Sequence, residues 1–510
     1  MNWAEVNLSD SWVEKDGRYV LSHQPSSIHF NATEDVTESI ARNRGFYAVV
    51  DINDDRIVAS VDHVRSIPLF YAVTSNGVYI SDSAEWIEGK VGTRRSEITE
   101  VEFELAGFVS GPDTRNPDVK QLLPGELIEI REDGARTQKH FTFEYSTSDA
   151  QSGTSLRDVT QQSIRRLTRY ADSRQIVIPL SAGLDSRLIA TELVDAGYEN
   201  VLCFTYGREG ATHVTVAQEV ASALDLDWIH VPYTGERWRE WYTSDRKQDF
   251  FNYENTLASI PHVEAGPALS YLQQNGLIDD NCVICPGHSG DMVAGSHIPD
   301  SLFANRYGSL AQVVDEVIDH HYGFATMSDE YKNRLRTRVS TNLGIAGQLD
   351  CKTAIEAYES WDFRNRQAKF IINSIRSFES EGYDWYLPLW DREFAEFWLT
   401  VPLKQRYDKT KYRSYVYDRC SEVGDFSNIT ENTTERTTIW NRMKEVAKET
   451  PVSTAILPLY NKAKQQIIYG RHPLAWYEML PRNEFDRYYV PWGGINPFVI
   501  NDIQDEFRIQ

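Results

Sequence analysis

Cysteine is scarce in this sequence: five in 510 residues, the first of them Cys203. An odd number, with no secretory leader, argues for free thiols rather than a disulfide framework. One pair, Cys282 and Cys285, has C-x-x-C spacing. It falls in an apolar run expected to be a buried strand, where side chains three apart point to opposite faces. A lone pair also makes no zinc site. No apolar run is long enough to span a bilayer, so no membrane partner is expected. The opening residues, Met1-Asn2-Trp3-Ala4-Glu5, hold neither a basic nor an apolar leader region. No signal peptide is expected, and a cytoplasmic location follows. The sequons at Asn7, Asn31, Asn428 and Asn432 are then chance matches. No internal repeat and no low-complexity tract is present.

Basic charge is also short. Lysine and arginine number 52 against 75 acidic residues, a net charge of −23. Such a chain repels nucleic acid unless it hides a local basic patch, so no nucleic-acid partner is expected. Arginine outnumbers lysine and the acidic residues are scattered, a pattern that suits a halophilic, high-salt cytoplasm. Loss of fold in low-salt buffer is the corresponding expectation.

The length is too great for one compact core and implies more than one domain, while a hydrophobic content of 41% is enough to fill sizeable cores. Residues 1–145 read as β-rich, with short runs at 18–22, 46–52, 56–61, 77–81, 126–131 and 137–143. Asn53-Asp54-Asp55, Asn76-Gly77 and Asp133-Gly134 supply hairpin turn chemistry. Residues 146–155 are polar and Ser/Thr-rich and read as a linker. From 156 the period changes. A helix over 156–171 leads to an apolar strand at 176–180. Strands at 201–205 and 228–231 alternate with a helix face marked by Val214, Ala217, Val220, Ala221 and Leu224. This β-α-β-α-β order predicts a doubly wound parallel sheet with its ligand at the strands' C-terminal ends. Residues 156–430 form this second domain, mainly helical beyond 300. Residues 431–510 are an aromatic extension with no assigned role.

The most informative turn is Ser181-Ala182-Gly183-Leu184-Asp185-Ser186, between the 176–180 strand and a helix carrying Leu188, Ile189, Leu193 and Val194. A strand, a small-residue loop and a helix start aim backbone N–H groups at an anion. Ser181 and Ser186 add hydroxyl donors. A carboxylate beside a phosphate is repulsive unless a divalent cation lies between them, so Asp185 turns the loop into a site for pyrophosphate and Mg²⁺. The loop has no Walker lysine, which removes the P-loop reading. Taken alone, it is equally compatible with an ordinary turn in an α/β sheet.

A second apolar strand, Val283-Ile284-Cys285, runs into Pro286-Gly287-His288-Ser289-Gly290-Asp291. By itself Asp291 reads as a helix N-cap. Two such loops on one sheet can bring Asp185 and Asp291 to the same metal ions, the usual way to neutralise charge during displacement at phosphorus.

These blocks resemble the asparagine synthetase family, including its β-lactam synthetase relatives. The family's S-G-G-x-D-S loop is similar to residues 181–186, and its G-E-G-A-D-E-L-F-G-G block to 287–296. Its R-V-P-F-L-D block is similar to Tyr386-Leu387-Pro388-Leu389-Trp390-Asp391, and its G-K-T-K-Y to Asp408-Lys409-Thr410-Lys411-Tyr412. In the N-terminal half, residues 44–49, 67–71, 105–109 and 123–126 resemble the family's glutaminase domain and the segment leading out of it. The likeness covers roughly residues 40–425. It implies an N-terminal Ntn-hydrolase-like sandwich and a C-terminal ATP-pyrophosphatase domain. It also implies a reaction: a carboxylate attacks the α-phosphate of ATP, an acyl-adenylate and pyrophosphate form, and an amine displaces AMP. By the resemblance, Ser181, Gly183, Leu184, Asp185 and Ser186 hold pyrophosphate, and Asp185 and Asp291 hold Mg²⁺. Leu180, Thr205 and Gly287 offer backbone contacts to adenosine. Lys411 stabilises charge at the α-phosphate, with a plain surface lysine as the alternative. Arg376 matches a family arginine, or is a structural ion-pair member.

Four departures bear on chemistry. The family's glutaminase nucleophile is an N-terminal cysteine; Asn2 stands there instead, with no serine or threonine to replace it. Glutaminase activity is therefore not expected, and the N-terminal domain reads as degenerate. His288 replaces a family glutamate, and either takes a proton from an incoming amine or contacts the substrate carboxylate. Ala182 replaces a loop glycine and fits only with a negative φ. Met292 and Asp384 stand where the family has glutamates, which leaves the carboxylate substrate open: an amino acid, a metabolite precursor or a sugar acid. Three readings stand: an amide ligase using ammonia or an amine, an ATP pyrophosphatase adenylating another substrate such as tRNA, and a non-catalytic descendant that binds a nucleotide or a partner.

Overall fold

The computed structural model describes residues 3–15, 17–23, 28–30, 34–145, 154–305, 307–427, 429, 468–490 and 493–508. Asn2, Asn31, Asn428, Asn432, most of the expected linker and residues 430–467 of the extension lie outside the described residues.

Two sheets make the N-terminal half. The strands are β1 (Ala4–Asn7), β2 (Val13–Lys15), β3 (Arg18–Ser22), β4 (Tyr47–Ile52), β5 (Ile57–Val61), β6 (Phe70–Thr74), β7 (Gly77–Ser81), β8 (Lys120–Gln121), β9 (Glu126–Arg131) and β10 (Gly134–Lys139). One sheet has the order β1-β7-β6-β8 and the other β10-β9-β5-β4-β3-β2. Strand alternation divides β4 between two cores. Ala48 and Val50 join Ile57, Ala59 and Val61 of β5 and meet Val78 and Ile80 of the opposite sheet. Tyr47 and Val49 face the other way, onto Val36 and Ile40 of the helix Val36–Arg42. Across the sandwich, Phe70 and Ala72 of β6 carry Ala84 and Ile87 of the helix Ala84–Val91. The result is a helix–sheet–sheet–helix sandwich. β10 begins and ends earlier than the run expected at 137–143. Beyond it, Phe141, Phe143 and Tyr145 leave the sheet and enter the core of the second half.

The second half opens with the helix Leu156–Ala171. Ser155 and Asp158 form a reciprocal capping box, and Asp172 closes the helix in the left-handed region at φ 48°. Leu156, Val159, Ile164, Leu167 and Ala171 give it one buried stripe. Next come β11 (Ile176–Pro179), β12 (Val201–Gly207), β13 (Asp227–Pro232), β14 (Val283–Ile284), the hairpin β15 (Tyr307–Ser309) with β16 (Gln348–Asp350), and β17 (Asp384–Trp385). The main sheet is parallel, in the order β13-β12-β11-β14-β17. From β11 the chain steps outward through β12 and β13, then returns to the opposite edge of β11. The strand order therefore reverses between β11 and β14, the place where sheets of this kind hold a ligand at the strands' C-terminal ends.

Residues 468–490 and 493–508, set apart in the sequence reading, pack onto this half. Trp476, Tyr477, Phe485, Val499 and Ile500 belong to its core. Arg208 N–H donates to the Pro473 carbonyl at 2.6 Å and Trp238 Nε1 to the Leu474 carbonyl at 2.6 Å. The C-x-x-C pair flanks β14. Cys282 and Cys285 are buried free thiols, and burial pushes Cys282 up to about 12. Neither is poised for redox or metal chemistry. Among the described residues, no helix is long and apolar enough to cross a membrane.

Buried and half-buried polar side chains join the halves. Lys369 Nζ donates to the Val109 and Gly111 carbonyls at 2.8 and 2.5 Å. Arg338 reaches Glu102 and Asp113, both at 2.8 Å, and His63 Nε2 meets the Trp390 carbonyl at 2.7 Å. Hydrogen bonds of this kind, shielded from water, hold the domains in one arrangement.

Candidate active site

Both motif loops leave the sheet at the β11–β14 reversal. After β11, the chain turns at residues 181–183 and the helix Leu184–Asp195 begins on Gly183 with no side-chain cap. Its first-turn N–H groups are thus left for a ligand. Two serines brace the turn. Ser186 Oγ accepts from Ser181 N–H at 3.1 Å, and Ser181 Oγ accepts from Gly183 N–H at 3.1 Å. Ala182 lies outside the left-handed region, so it replaces glycine without backbone strain.

The second loop touches the first because it carries glycines. A Cβ on Gly287 would stand 2.4 Å from the Ser186 nitrogen, and one on Gly290 would stand 2.7 Å from the Tyr412 hydroxyl. Ser289 adopts φ 63° and starts the short helix Gly290–Val293. Asp291 N–H then donates to Asp185 Oδ2 at 3.3 Å. Tyr412 Oη donates to Asp185 Oδ1 at 2.8 Å, and Lys409 Nζ lies 3.3 Å from Asp291 Oδ2.

Asp185 is 9% exposed. Burial, and after it the charge of Asp291, raise its carboxyl pKa well above the ordinary range, against the Tyr412 bond and the Lys409 charge. Two carboxylates with one adjacent ammonium form a site that a further cation would relieve. The donors are all oxygen, which suits a hard cation such as Mg²⁺. Among the described residues no group of three His, Cys, Asp or Glu side chains could hold a metal. The remaining ligands would be phosphate oxygens and water, the way Mg²⁺ is ordinarily held. The donor set therefore fits Mg²⁺ with a polyphosphate.

The structure brings Ser181, Gly183, Leu184, Asp185, Ser186, Gly287 and Asp291 together. Leu180 and Thr205 adjoin them, with Thr205 Oγ1 donating to the Leu180 carbonyl at 2.7 Å. That bond and the one from Leu180 N–H to the Phe204 carbonyl engage both backbone groups of Leu180 in the fold.

Three expected residues stand differently. Lys411 does not reach the carboxylates: its ammonium lies 5.4 Å from the centroid of the Phe397 ring, and burial lowers its pKa. Lys409 takes the place beside Asp291. Asp408 and Lys409 both have φ 50°, and this left-handed kink precedes the helix Thr410–Val423. Such a kink costs on the order of 1 kcal/mol per residue, a strain typical of functional turns. Arg376 makes no hydrogen bond or ion pair with Asp185 or Asp291 and serves as an interdomain tie. It donates to the Ser66 carbonyl at 2.5 Å, pairs with Glu379 at 2.6 Å, and lines a cavity of about 1080 Å³ between the halves. His288 is neutral at physiological pH, because burial, and then the His262 charge, push it down to about 3. A ring with that pKa is a poor acceptor for an amine proton. Its Nε2 lies 3.4 Å from Ser374 Oγ, and its buried Nδ1 has no partner among the described residues.

Sequence reasoning assigned no role to Lys409 or Tyr412, although both stand in the block that carried the resemblance. It also passed over Gln367, whose Oε1 accepts from Ser289 Oγ at 2.8 Å, and Asp362, which holds His297 at 2.6 Å. No local motif marked that pair.

No family model matches the chain. Over 150 residues, 28% of the chain, it is 33% identical to a protein of Acanthamoeba polyphaga mimivirus named "probable asparagine synthetase [glutamine-hydrolyzing]". The match spans 25% of that relative's length. It bears out the family resemblance read from the motifs. Two solved structures overlap about half of the chain. The allosteric regulatory enzyme of purine biosynthesis matches at 12% identity and a TM-score of 0.17, over 44% of this chain and 49% of its own. The glutamine phosphoribosylpyrophosphate amidotransferase from B. subtilis, complexed with ADP and GMP, matches at 10% and 0.15, over 52% of each. At those scores neither superposition carries a structural argument.

Proposed function

We propose that this asparagine synthetase-like chain is an ATP-dependent amide ligase. A carboxylate substrate attacks the α-phosphorus of ATP and releases pyrophosphate. Ammonia or an amine then attacks the acyl carbon, the bond from that carbon to the phosphate oxygen breaks, and AMP leaves. The observation that carries this reading is the convergence of Asp185, Asp291, Lys409 and Tyr412 at the sheet's reversal point.

Each group has a part. The uncapped N–H groups of the helix Leu184–Asp195, with Ser181 and Ser186, hold the pyrophosphate portion. Asp185 and Asp291 hold Mg²⁺, which when bound neutralises charge on the phosphate oxygens. Lys409 supplies a fixed cation where negative charge accumulates. Tyr412, a buried phenol with its pKa raised by burial and then by Asp185, stays protonated and orients the Asp185 carboxylate. Leu180, Thr205 and Gly287 flank the adenosine side. His288, neutral and beside Ser374, serves as a contact for the substrate.

The four-layer N-terminal sandwich is read as a degenerate Ntn-hydrolase-like domain, and the parallel-sheet half as an ATP pyrophosphatase. Residues 1–202 contain no cysteine, so the chain supplies no thiol for glutamine hydrolysis there. Nitrogen then comes from free ammonia or from an amine on the second substrate.

ATP–pyrophosphate exchange with Mg²⁺ across a carboxylate library tests the reading. Exchange with at least one carboxylate, lost in Asp185→Asn and unaccompanied by glutamate release from glutamine, is the expected result. Failure of the protein to bind Mg·ATP would overturn it.

A further inference from the structure

One helical segment grips the Asp291 loop at two points. Ser289 Oγ donates to Gln367 Oε1 at 2.8 Å, before Asp291. His297 Nδ1 donates to Asp362 Oδ2 at 2.6 Å, after it. Asp362 ends the helix Cys351–Asp362, and Gln367 lies in the π-helical stretch Phe363–Ile371 that continues it. A π-type turn spans between four and five residues, so Asp362, Arg366 and Gln367 share the face turned toward the loop. Such stretches are frequent at functional sites.

Arg366 is the member of that face that acts on the fold through its charge alone, helping, against burial, to hold the Asp362 carboxyl low. It is half-buried and makes no hydrogen bond or ion pair with any described residue. His297 is engaged at Nδ1 only, and its side chain is 29% exposed. The ring is close enough to Asp291 for that carboxylate's charge to act on it, and Arg366 acts on it as well. Burial opposes a charge on the ring, but the charge and hydrogen bond of the fully buried Asp362 outweigh it and raise the His297 pKa.

We infer that Arg366 and His297, with Asp362 behind them, form a recognition subsite for an anionic oxygen group, a carboxylate or a phosphate, beside the Asp185–Asp291 pair. The inference rests on the ligase reading for the identity of its neighbours. Asp362 engages His297 by a hydrogen bond and Lys409 pairs with Asp291, whereas the Arg366 guanidinium donates to no described residue. A guanidinium matches the two oxygens of a carboxylate or phosphate with paired N–H donors. The bond from His297 to Asp362 fixes the ring, so that Nε2 can add a donor from a set direction. The anion is either the phosphate tail of the nucleotide or an acidic group on the second substrate. In the second case the ligase takes substrates with two acidic groups and activates one while the other is held here.

Calorimetry on the full chain separates these sources. The probes are Mg·ATP, inorganic pyrophosphate, and succinate against acetate with a non-hydrolysable ATP analogue present. The variants are Arg366→Met and Arg366→Lys, with melting temperature as the fold control. A loss of about tenfold or more for pyrophosphate and Mg·ATP in Arg366→Met assigns the subsite to the phosphates. The same loss for succinate alone assigns it to substrate. Arg366→Lys, which keeps the charge without the fork, recovers part of the affinity in either case. Unchanged affinity of Arg366→Met for every probe, or no binding of any probe by the wild type, overturns the inference. Failure of the ligase reading is seen separately, as Mg·ATP affinity that Asp185→Asn leaves unchanged.

Discussion

The backbone N–H of Asp291 donates to the Asp185 carboxylate at 3.3 Å, joining loops that stand 106 positions apart. The bond sets two acidic side chains at the C-terminal end of the parallel sheet, between β11 and β14, and ties one loop to the other. It also makes the pair electrostatically uncomfortable when nothing positive lies between them, and several expectations follow from that tension.

Asp185→Asn is expected to stabilise the fold while abolishing nucleotide binding. Burial and the Asp291 charge raise the Asp185 pKa. A carboxyl whose pKa is raised on folding destabilises the native state once the pH exceeds its unfolded value, and the penalty grows up to the folded pKa. At neutral pH the amide removes that penalty, for a gain of about 1 kcal/mol. Tyr412 keeps an oxygen acceptor. Thermal unfolding should show a higher midpoint and calorimetry no Mg·ATP binding; a less stable variant would refute the argument.

Lys409→Met should lower turnover by about a hundredfold or more, the scale of losing one preorganised charge partner at a developing anion. Lys411→Met should change it less than threefold, roughly, since its ammonium lies over Phe397. Steady-state kinetics on the two variants side by side decides the assignment, and the reverse ranking would return the role to Lys411.

Gly287→Ala should push the loops apart, because its methyl would stand 2.4 Å from the Ser186 nitrogen. Both atoms are backbone-anchored, so relief requires moving a loop. A loss of about 1–3 kcal/mol in stability and a parallel drop in Mg·ATP affinity are expected. Urea unfolding and calorimetry check the two effects, and wild-type values in both would show the loops to be independent.

The histidine contribution to stability should fall as the pH drops from about 7 to about 5, against an opposing gain as Asp185 takes up its proton. Burial, and then the Arg392 charge, hold His63 down to about 3, and burial holds His140 down to about 4. Both stay neutral in the fold, whereas in the unfolded chain they protonate near 6.5. At these two sites the unfolded state therefore binds more protons below that value, and their contribution declines. The loss is up to about 1.4 kcal/mol per histidine per pH unit. His63→Gln keeps a donor for the Trp390 carbonyl and should remove its share of the decline. Unfolding midpoints with the same pH dependence in His63→Gln and wild type would contradict it.

Much of the fold was legible because its elements carry their own period. The expected runs at 18–22, 77–81 and 126–131 coincide with β3, β7 and β9, and the expected helix at 156–171 coincides with Leu156–Ala171. The helices Val36–Arg42 and Ala84–Val91 were missed: at seven and eight residues they are too short to repeat a 3.6-residue stripe convincingly. The two loops could be picked out because tight strand-to-helix turns that touch one another need small residues at fixed places. That Lys409 rather than Lys411 stands beside Asp291 could not, since it depends on a left-handed kink that no composition announces. Arg366 and Asp362 escaped for a related reason. Their spacing means something only once the helix is known to widen into a π-type turn.

The buried amine of Lys369 has a consequence for the chain's history. Two of its acceptors are carbonyls of the other half, so deleting residues 1–145 would strand it without them. The cysteine-free half is thus tied in as scaffolding, and its retention needs no surviving chemistry of its own. Truncation to a freestanding second half is closed to the chain unless Lys369 changes first.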